Sequence, residues 1–386
     1  MNSRLSEFTR TLKIDLEGNK AAFLWGPRKV GKTTLLRQQF QDTAYYYDLL
    51  KADVRTKLRL TPSLLREEVL ARDCKLVIVD EIQKIPALLD EVHWCLENTE
   101  TKFILCGSSA RKLRHGAANL LGGRAWRFEL FPLTTQEIGN PDLNRIVNHG
   151  LIPKHYLDQK PEKSLESYVL DYIEQEIEAE ALTRHVPSFS RFLEGVALTH
   201  GQLINYANIA RESGVSSKTV GKYYQILEDT LLGHRLPPWR KSKKRRLIET
   251  EKFYLFDVGI VRALSGMRLI QKGTEEFGRA FEHFLIEEIR AYLSYREIRK
   301  PLAFWRTSTG LEVDLIIGNM DAAIEFKAVP KADNKHTASL RALMEDQKVG
   351  KAIVVSLDPA PRKLESGILI LPWQIFCTKL WAGEII

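Results

Sequence analysis

Gly26-Pro27-Arg28-Lys29-Val30-Gly31-Lys32-Thr33 reads G-x-x-x-x-G-K-[ST], and the residues on either side give this spacing its meaning. The apolar run Ala21–Trp25 leads in as a strand, and Thr33–Phe40 leads out as a helix. Gly26 and Gly31 permit a tight loop whose backbone N–H groups converge on phosphate oxygens. The helix behind adds its positive dipole end. Lys32 supplies a point charge for the β- and γ-phosphates, and Thr33 offers a hydroxyl to Mg²⁺. The expected ligand is ATP with Mg²⁺, held by Gly26, Pro27, Arg28, Lys29, Val30, Gly31, Lys32, Thr33 and Thr34.

Working outward, Leu76-Val77-Ile78-Val79-Asp80-Glu81 is a buried strand ending in two acids. Asp80 is placed to hold Mg²⁺ through water and Glu81 to act as general base on the attacking water. Asn-Lys-x-Asp does not follow, which argues against guanine specificity. A third strand, Lys102–Cys106, runs into Gly107-Ser108-Ser109, where Ser108 or Ser109 is the candidate γ-phosphate sensor. Of the downstream arginines, Arg111, Arg114, Arg124 and Arg127, we favour Arg124 as the finger that contacts the transferring phosphoryl group, in cis or from a neighbouring copy. A surface ion pair is the plain alternative for it.

The chain has 386 residues, 44% hydrophobic and 27% charged, and a formal net charge of +8. This is globular composition, with length for two or three domains. The mild positive charge permits nucleic-acid binding without requiring it. No run approaches the roughly 18 apolar residues of a membrane helix, and the first residues show no signal-peptide pattern. Four scattered cysteines show no zinc spacing and read as reduced thiols of a cytoplasmic protein. Three blocks emerge: an α/β domain over 1–140 whose apolar runs suit a parallel sheet, a mostly helical region over 150–265, and a second α/β domain over 270–386.

In the middle block, Leu203–Asp229 reads as helix-turn-helix. Gly214 takes the left-handed turn, Val215 is expected to plug the core, and Ser216 caps a second helix. That helix buries Val220, Tyr223, Tyr224 and Leu227, and its outward face carries Lys218 and Lys222. Six of the seven residues from Arg240 to Arg246 are basic: Arg240, Lys241, Lys243, Lys244, Arg245 and Arg246. They suit the wing of a winged helix, closed by a strand at Lys252–Phe256, and the phosphate contacts of DNA. A protein-contact module is the other use of such a fold.

In the last block, Glu282 lies on a helix. Phe304–Thr307 and Leu311–Ile317 form a hairpin around Ser308-Thr309-Gly310, and Ala322–Lys327 is the next strand. Period two puts Glu325 and Lys327 on one face, with Asp314 on the neighbouring strand. The order Glu282, Asp314, Glu325-x-Lys327 suits a Mg²⁺-dependent phosphodiester-cleaving site. In it Asp314 and Glu325 bind metal, Glu282 assists, and Lys327 orients or deprotonates water. A degenerate domain of the same fold, or plain solvated strand charges, explains the same residues.

Taken together, Gly26–Thr33, Asp80-Glu81-Ile82-Gln83, Gly107-Ser108-Ser109, Gly123-Arg124, Phe131-Pro132-Leu133, Ile209-Ala210-Arg211, Phe256-Asp257-Val258-Gly259, Glu312-Val313-Asp314 and Glu325-Phe326-Lys327 resemble a family of prokaryotic AAA-like P-loop ATPases with a C-terminal DUF4143-type domain. The resemblance implies an ATPase core of the additional-glutamate branch, a winged helix and a PD-(D/E)xK nuclease-like domain similar to archaeal junction resolvases. It also implies assembly with further copies, up to a hexameric ring. Val313-Asp314 stands where the nuclease motif has Pro-Asp. The leading expectation is a DNA-dependent ATPase that remodels or cleaves branched, forked or junction DNA. The alternative is a regulatory nucleotide switch acting on a protein partner, with an inert C-terminal domain.

Overall fold

A computed structural model describes residues 8–108, 121, 124–169, 186–240 and 250–386. It divides into two compact units. Residues through Leu133, with Ile226–Leu232, form the first, and Thr134–Gln225 with Gly233–Ile386 form the second.

The first unit contains β1 (Ala21–Trp25), α1 (Lys32–Phe40), β2 (Tyr45–Asp48), α2 (Ala52–Leu60), α3 (Leu64–Arg72), β3 (Leu76–Asp80), α4 (Leu88–Asn98), β4 (Lys102–Gly107) and β5 (Ala125–Glu129). The strands make one parallel sheet in the order β2-β3-β4-β1-β5. The apolar runs of β1, β3 and β4 become strands because each is buried on both faces. Phe23, Val77, Val79, Phe103 and Leu105 share one core with Leu65, Val92 and Cys95 of the helices. β4 lies between β1 and β3, and the register pairs Trp25 with Gly107 and Asp80 with Cys106. The ends of the three central strands therefore come level at the carboxyl edge of the sheet, where ligands bind in open α/β folds.

The second unit begins with short helices: α5 (Thr135–Ile138), α6 (Leu143–His149), α7 (Pro153–Leu157) and α8 (Pro161–Tyr168). Next come α9 (Val186–Leu198), α10 (Tyr206–Ser213), α11 (Ser217–Asp229), and the antiparallel pair β6 (Gly233–Leu236) and β7 (Lys252–Leu255). Gly214 takes the left-handed conformation at φ 67° between α10 and α11, and Ser216 Oγ accepts from Thr219 N at 3.2 Å. Val215, expected to plug the core, is only half-buried. Aromatic rings hold the helices instead: Phe189 packs on Tyr223 (4.8 Å between centroids), and Phe192 on Tyr224 (5.0 Å).

Then follow α12 (Val258–Leu264), the long α13 (Glu275–Tyr295), β8 (Leu302–Arg306), β9 (Glu312–Ile317), β10 (Ala322–Lys327), α14 (Ala338–Asp346), β11 (Lys351–Ser356), β12 (Arg362–Lys363), β13 (Leu369–Pro372) and α15 (Trp373–Trp381). The sheet order is β12-β13-β11-β10-β9-β8. β8, β9 and β10 meander antiparallel, whereas β11 joins β10 in parallel after the α14 crossover. Chain following β6 covers the β8 edge, with Phe304 N donating to Pro237 O at 3.0 Å and Trp239 N to Phe304 O at 2.6 Å. Among the described residues no helix is long and apolar enough to cross a membrane.

Candidate functional site

The phosphate loop is built for close backbone approach. Gly31 holds φ 100° as the residue before α1, whose first turn has no side-chain cap, so its amides face the loop. A Cβ on Gly26 would come within 2.5 Å of Leu130 O. From the segment before β1, the buried Arg10 donates to Val30 O at 2.5 Å and to Phe131 O at 2.7 Å, fastening the loop to the chain beyond β5. Lys32 is buried, and its ammonium turns onto the loop's own carbonyls, Gly26 O at 2.7 Å and Pro27 O at 2.9 Å. An anion in the cradle would draw it away from them.

At the end of β3, Asp80 Oδ2 accepts from Thr33 Oγ1 at 2.7 Å and from Tyr46 Oη at 2.5 Å. Asp80 Oδ1 is buried with no hydrogen-bond partner. Burial, followed by the Asp80 charge, raises the Tyr46 phenol well above its ordinary value, so it remains a donor. Glu81 stands in the left-handed region at φ 62°, and its Oε2 accepts from Gln83 Nε2 at 2.5 Å. The same nitrogen donates to the buried Ser108 Oγ at 3.1 Å. Gln83 thus joins the acid after β3 to the hydroxyl after β4. A Cβ on Gly107 would strike Gln83 Oε1 at 2.4 Å, so a side chain there would displace this bridge.

These groups fit a nucleotide with its magnesium ion. The loop offers amides and a lysine, and Thr33 with the open Asp80 oxygen offers the hard ligands magnesium prefers. Arg124 is exposed; its partners are Glu97, at 2.8 Å, and His93, both on α4. None belongs to the phosphate loop, so within one chain it forms the surface ion pair. Ser109, Arg111, Arg114 and Gly123 lie outside the described residues. Arg10, Tyr46 and Gln83 were not singled out by the motif reading, although Gln83 stood in the family pattern.

The second cluster lies in the other unit. Asp314 Oδ2 accepts from Phe326 N at 2.8 Å across the β9–β10 pair. Lys327 Nζ lies 2.6 Å from Glu325 Oε1 and 3.8 Å from Asp314 Oδ2. Glu282 Oε1 accepts from Tyr254 Oη at 2.6 Å. Lys252, which opens β7 and is nearly fully buried, puts Nζ 2.6 Å from Glu312 Oε1 and 3.5 Å from Glu282 Oε1. Lys252, Tyr254 and Glu312 were not among the predicted site residues, although Glu312 stood in the family pattern. The available signal was period two along β7, which puts Lys252 and Tyr254 on one face.

Burial first, and then the Glu282 charge, pushes the Asp314 carboxyl up to about 6. Burial and the Asp314 charge push Glu325 up to about 8. Burial works against both lysines, yet the surrounding carboxylates outweigh it and raise them above the ordinary value. Glu325 Oε2 alone in this group is buried without a partner. Among the described residues no set of three or more Asp, Glu, His or Cys side chains is arranged to hold a metal ion. As they stand, the residues assigned to a divalent ion here do not fit one, because ammonium groups already face their oxygens.

Of the DNA-binding candidates, Lys218 and Lys222 are exposed on α11, and Arg240 is exposed after β6. Lys241, Lys243, Lys244, Arg245 and Arg246 lie outside the described residues.

A five-stranded parallel sheet whose edge gathers a phosphate loop, a strand-end acid pair and a polar strand end defines the AAA class of P-loop domain. Residues 18–139 match the family model described as an AAA domain. Residues 277–376 match a domain of unknown function, DUF4143, and residues 140–270 match another, DUF8612. The chain therefore couples an AAA domain to a C-terminal DUF4143 domain. It is 26% identical over 351 residues to an uncharacterized protein of Mycobacterium tuberculosis and equally to one of Mycobacterium bovis, covering 89% of this chain and 78% of theirs. An uncharacterized protein of Haemophilus influenzae is 25% identical over 232 residues, covering 55% of this chain and 57% of that protein.

Proposed function

We propose that this protein hydrolyses ATP and couples the cycle to engaging and remodelling branched or forked DNA. The observation that carries the ATPase reading is the convergence of the Lys32 loop, Asp80-Glu81 and Ser108 at one sheet edge, with Gln83 joining the last two. Magnesium ATP, when bound, supplies a phosphoanhydride bond and a cation that offsets its charge. The chain's part is to hold and orient. The α1 amides and Lys32 face the phosphates, and Thr33 and Asp80 present oxygens to the cation. Glu81 takes a proton from water at its carboxylate while Gln83 fixes the side chain's direction. Ser108 reports the phosphate end to the same Gln83.

The DNA reading draws on the exposed Lys218 and Lys222 of the second helix after the Gly214 turn, followed by the β6–β7 hairpin with its basic connection. We read these elements as a winged helix facing phosphates. The lysine-matched carboxylates of the C-terminal sheet favour remodelling over cutting. They also favour the second reading, a nucleotide switch acting on a protein with that domain inert.

ATP turnover with and without forked duplex, at low and at high salt, separates the two. Stimulation by DNA that disappears in salt supports the first. Basal turnover indifferent to both DNA and salt supports the second.

A further inference from the structure

We propose that Lys252 is the resident cation of the C-terminal carboxylate cluster. Its ammonium stands in for a divalent ion among Glu282, Glu312 and Asp314, and the resting domain is metal-free. This inference depends on neither the ATP nor the DNA reading.

The position of Lys252 is fixed from several sides. It begins β7, so the hairpin that carries the basic connection also delivers the lysine. Its side chain is 5% exposed, with Nζ 2.6 Å from Glu312 Oε1 and 3.5 Å from Glu282 Oε1. The ammonium also lies 5.5 Å from the centre of the Phe304 ring, a cation–π contact with the strand that the chain after β6 covers. Two residues on, Tyr254 donates to the same Glu282 oxygen at 2.6 Å. Lys252 and Tyr254 thus address Glu282 as a pair from one face of β7.

Other oxygens of the cluster are engaged as well. Glu312 Oε2 faces Arg306 Nη1 at 3.1 Å, Glu325 Oε1 faces Lys327 at 2.6 Å, and Asp314 Oδ2 takes the Phe326 amide at 2.8 Å. Four carboxylates thus face three cations, Lys252, Lys327 and Arg306. Magnesium and manganese need several oxygens converging at short range, and a dication placed here would also sit against two fixed ammonium groups. The buried oxygen without a partner, Glu325 Oε2, is no site by itself. Removing the Lys252 charge would leave Glu282 without an ammonium and Glu312 with Arg306 alone, opening both to an outside cation.

The test is Mn²⁺ binding to the full chain without nucleotide, followed by electron paramagnetic resonance of free Mn²⁺. The wild-type protein is expected to show no bound Mn²⁺ that depends on Asp314 in the millimolar range. Lys252→Met is expected to bind Mn²⁺ more tightly by about tenfold or more, because the buried acids lose their partner. Adding Asp314→Asn to that variant should abolish the gain. Unchanged circular dichroism and a cooperative urea unfolding transition establish that the variant is folded. The proposal is overturned if wild type binds one Mn²⁺ per chain and Asp314→Asn removes it, or if folded Lys252→Met gains nothing. Should Lys252→Met fail to fold, the comparison of wild type with Asp314→Asn still decides whether the resting cluster is metal-free.

Discussion

Lys252 Nζ and Glu312 Oε1 meet at 2.6 Å, joining the first residue of β7 to the first residue of β9 across sixty positions of sequence. The lysine is buried and the glutamate is partly open to solvent. Breaking such a pair from the exposed side leaves the buried charge with the Glu282 contact alone. Glu312→Ala should lower unfolding stability by about 1–3 kcal/mol, with Glu312→Gln costing less. Urea unfolding of the two variants beside wild type measures this, and equal midpoints would remove the pair from the account.

Lys32→Ala should abolish ATP turnover and weaken nucleotide binding, because Lys32 is the buried ammonium at the first residue of α1, turned onto the loop. Glu81→Gln should behave differently, keeping nucleotide binding while kcat falls by about 10²–10⁴, the usual contribution of a general base. Single-turnover hydrolysis together with fluorescent-nucleotide binding distinguishes the two patterns. Normal hydrolysis by the Lys32 variant would show that the site has been placed wrongly.

Gln83 touches both Glu81 and Ser108 and is therefore a positioning residue. Gln83→Ala should lower kcat by about tenfold with little change in KM, since a base that loses its orientation keeps its chemistry. A change in KM alone would contradict the assignment.

Glu288 provides a pH dependence outside both clusters. Its Oε1 accepts from Thr135 N at 3.0 Å and from Trp381 Nε1 at 2.7 Å, yet burial pushes its carboxyl up to about 7. Between the ordinary 4.5 and 7 the unfolded chain gives up this proton while the native state retains it. Stability should therefore fall as pH rises through that window, by an amount on the order of 3 kcal/mol, and flatten above it. Denaturant midpoints from pH 4.5 to 8 should decline in wild type and decline less in Glu288→Gln. Parallel curves would refute the effect.

If α11 faces DNA, removing Lys218 and Lys222 together should weaken binding alike across sequences and reduce the log–log salt slope by about 2. Fluorescence anisotropy with a forked duplex at several salt concentrations reads this directly. An unchanged slope would direct attention to the protein-partner reading.

Much of the first unit was legible because its signals are local. Continuous apolar runs specify strands buried on two faces, and the strand end, loop and helix start are contiguous in sequence. The position of β4 between β1 and β3 is a matter of sheet pairing, which no local run specifies. The Asp314, Glu325 and Lys327 grouping was legible through period two along β10 and the short connection from β9. Lys252 was not, because the sequence shows only a lysine opening an apolar strand, and its partners come from α13 and β9. Val215 misled for a related reason: the turn chemistry at Gly214 is local, but the Phe189, Phe192, Tyr223 and Tyr224 rings that take the core position are fixed by tertiary packing. Tyr46 was not legible either, since nothing nearby in sequence shows its hydroxyl meeting Asp80.

Arg10 has a practical consequence. Its guanidinium bridges Val30 and Phe131, so the glycine-rich turn draws part of its shape from a residue sixteen places ahead of Gly26. A fragment trimmed to start at β1 would keep every letter of the nucleotide motif but lose that rivet, and weak nucleotide affinity in such a fragment would reflect where it was cut.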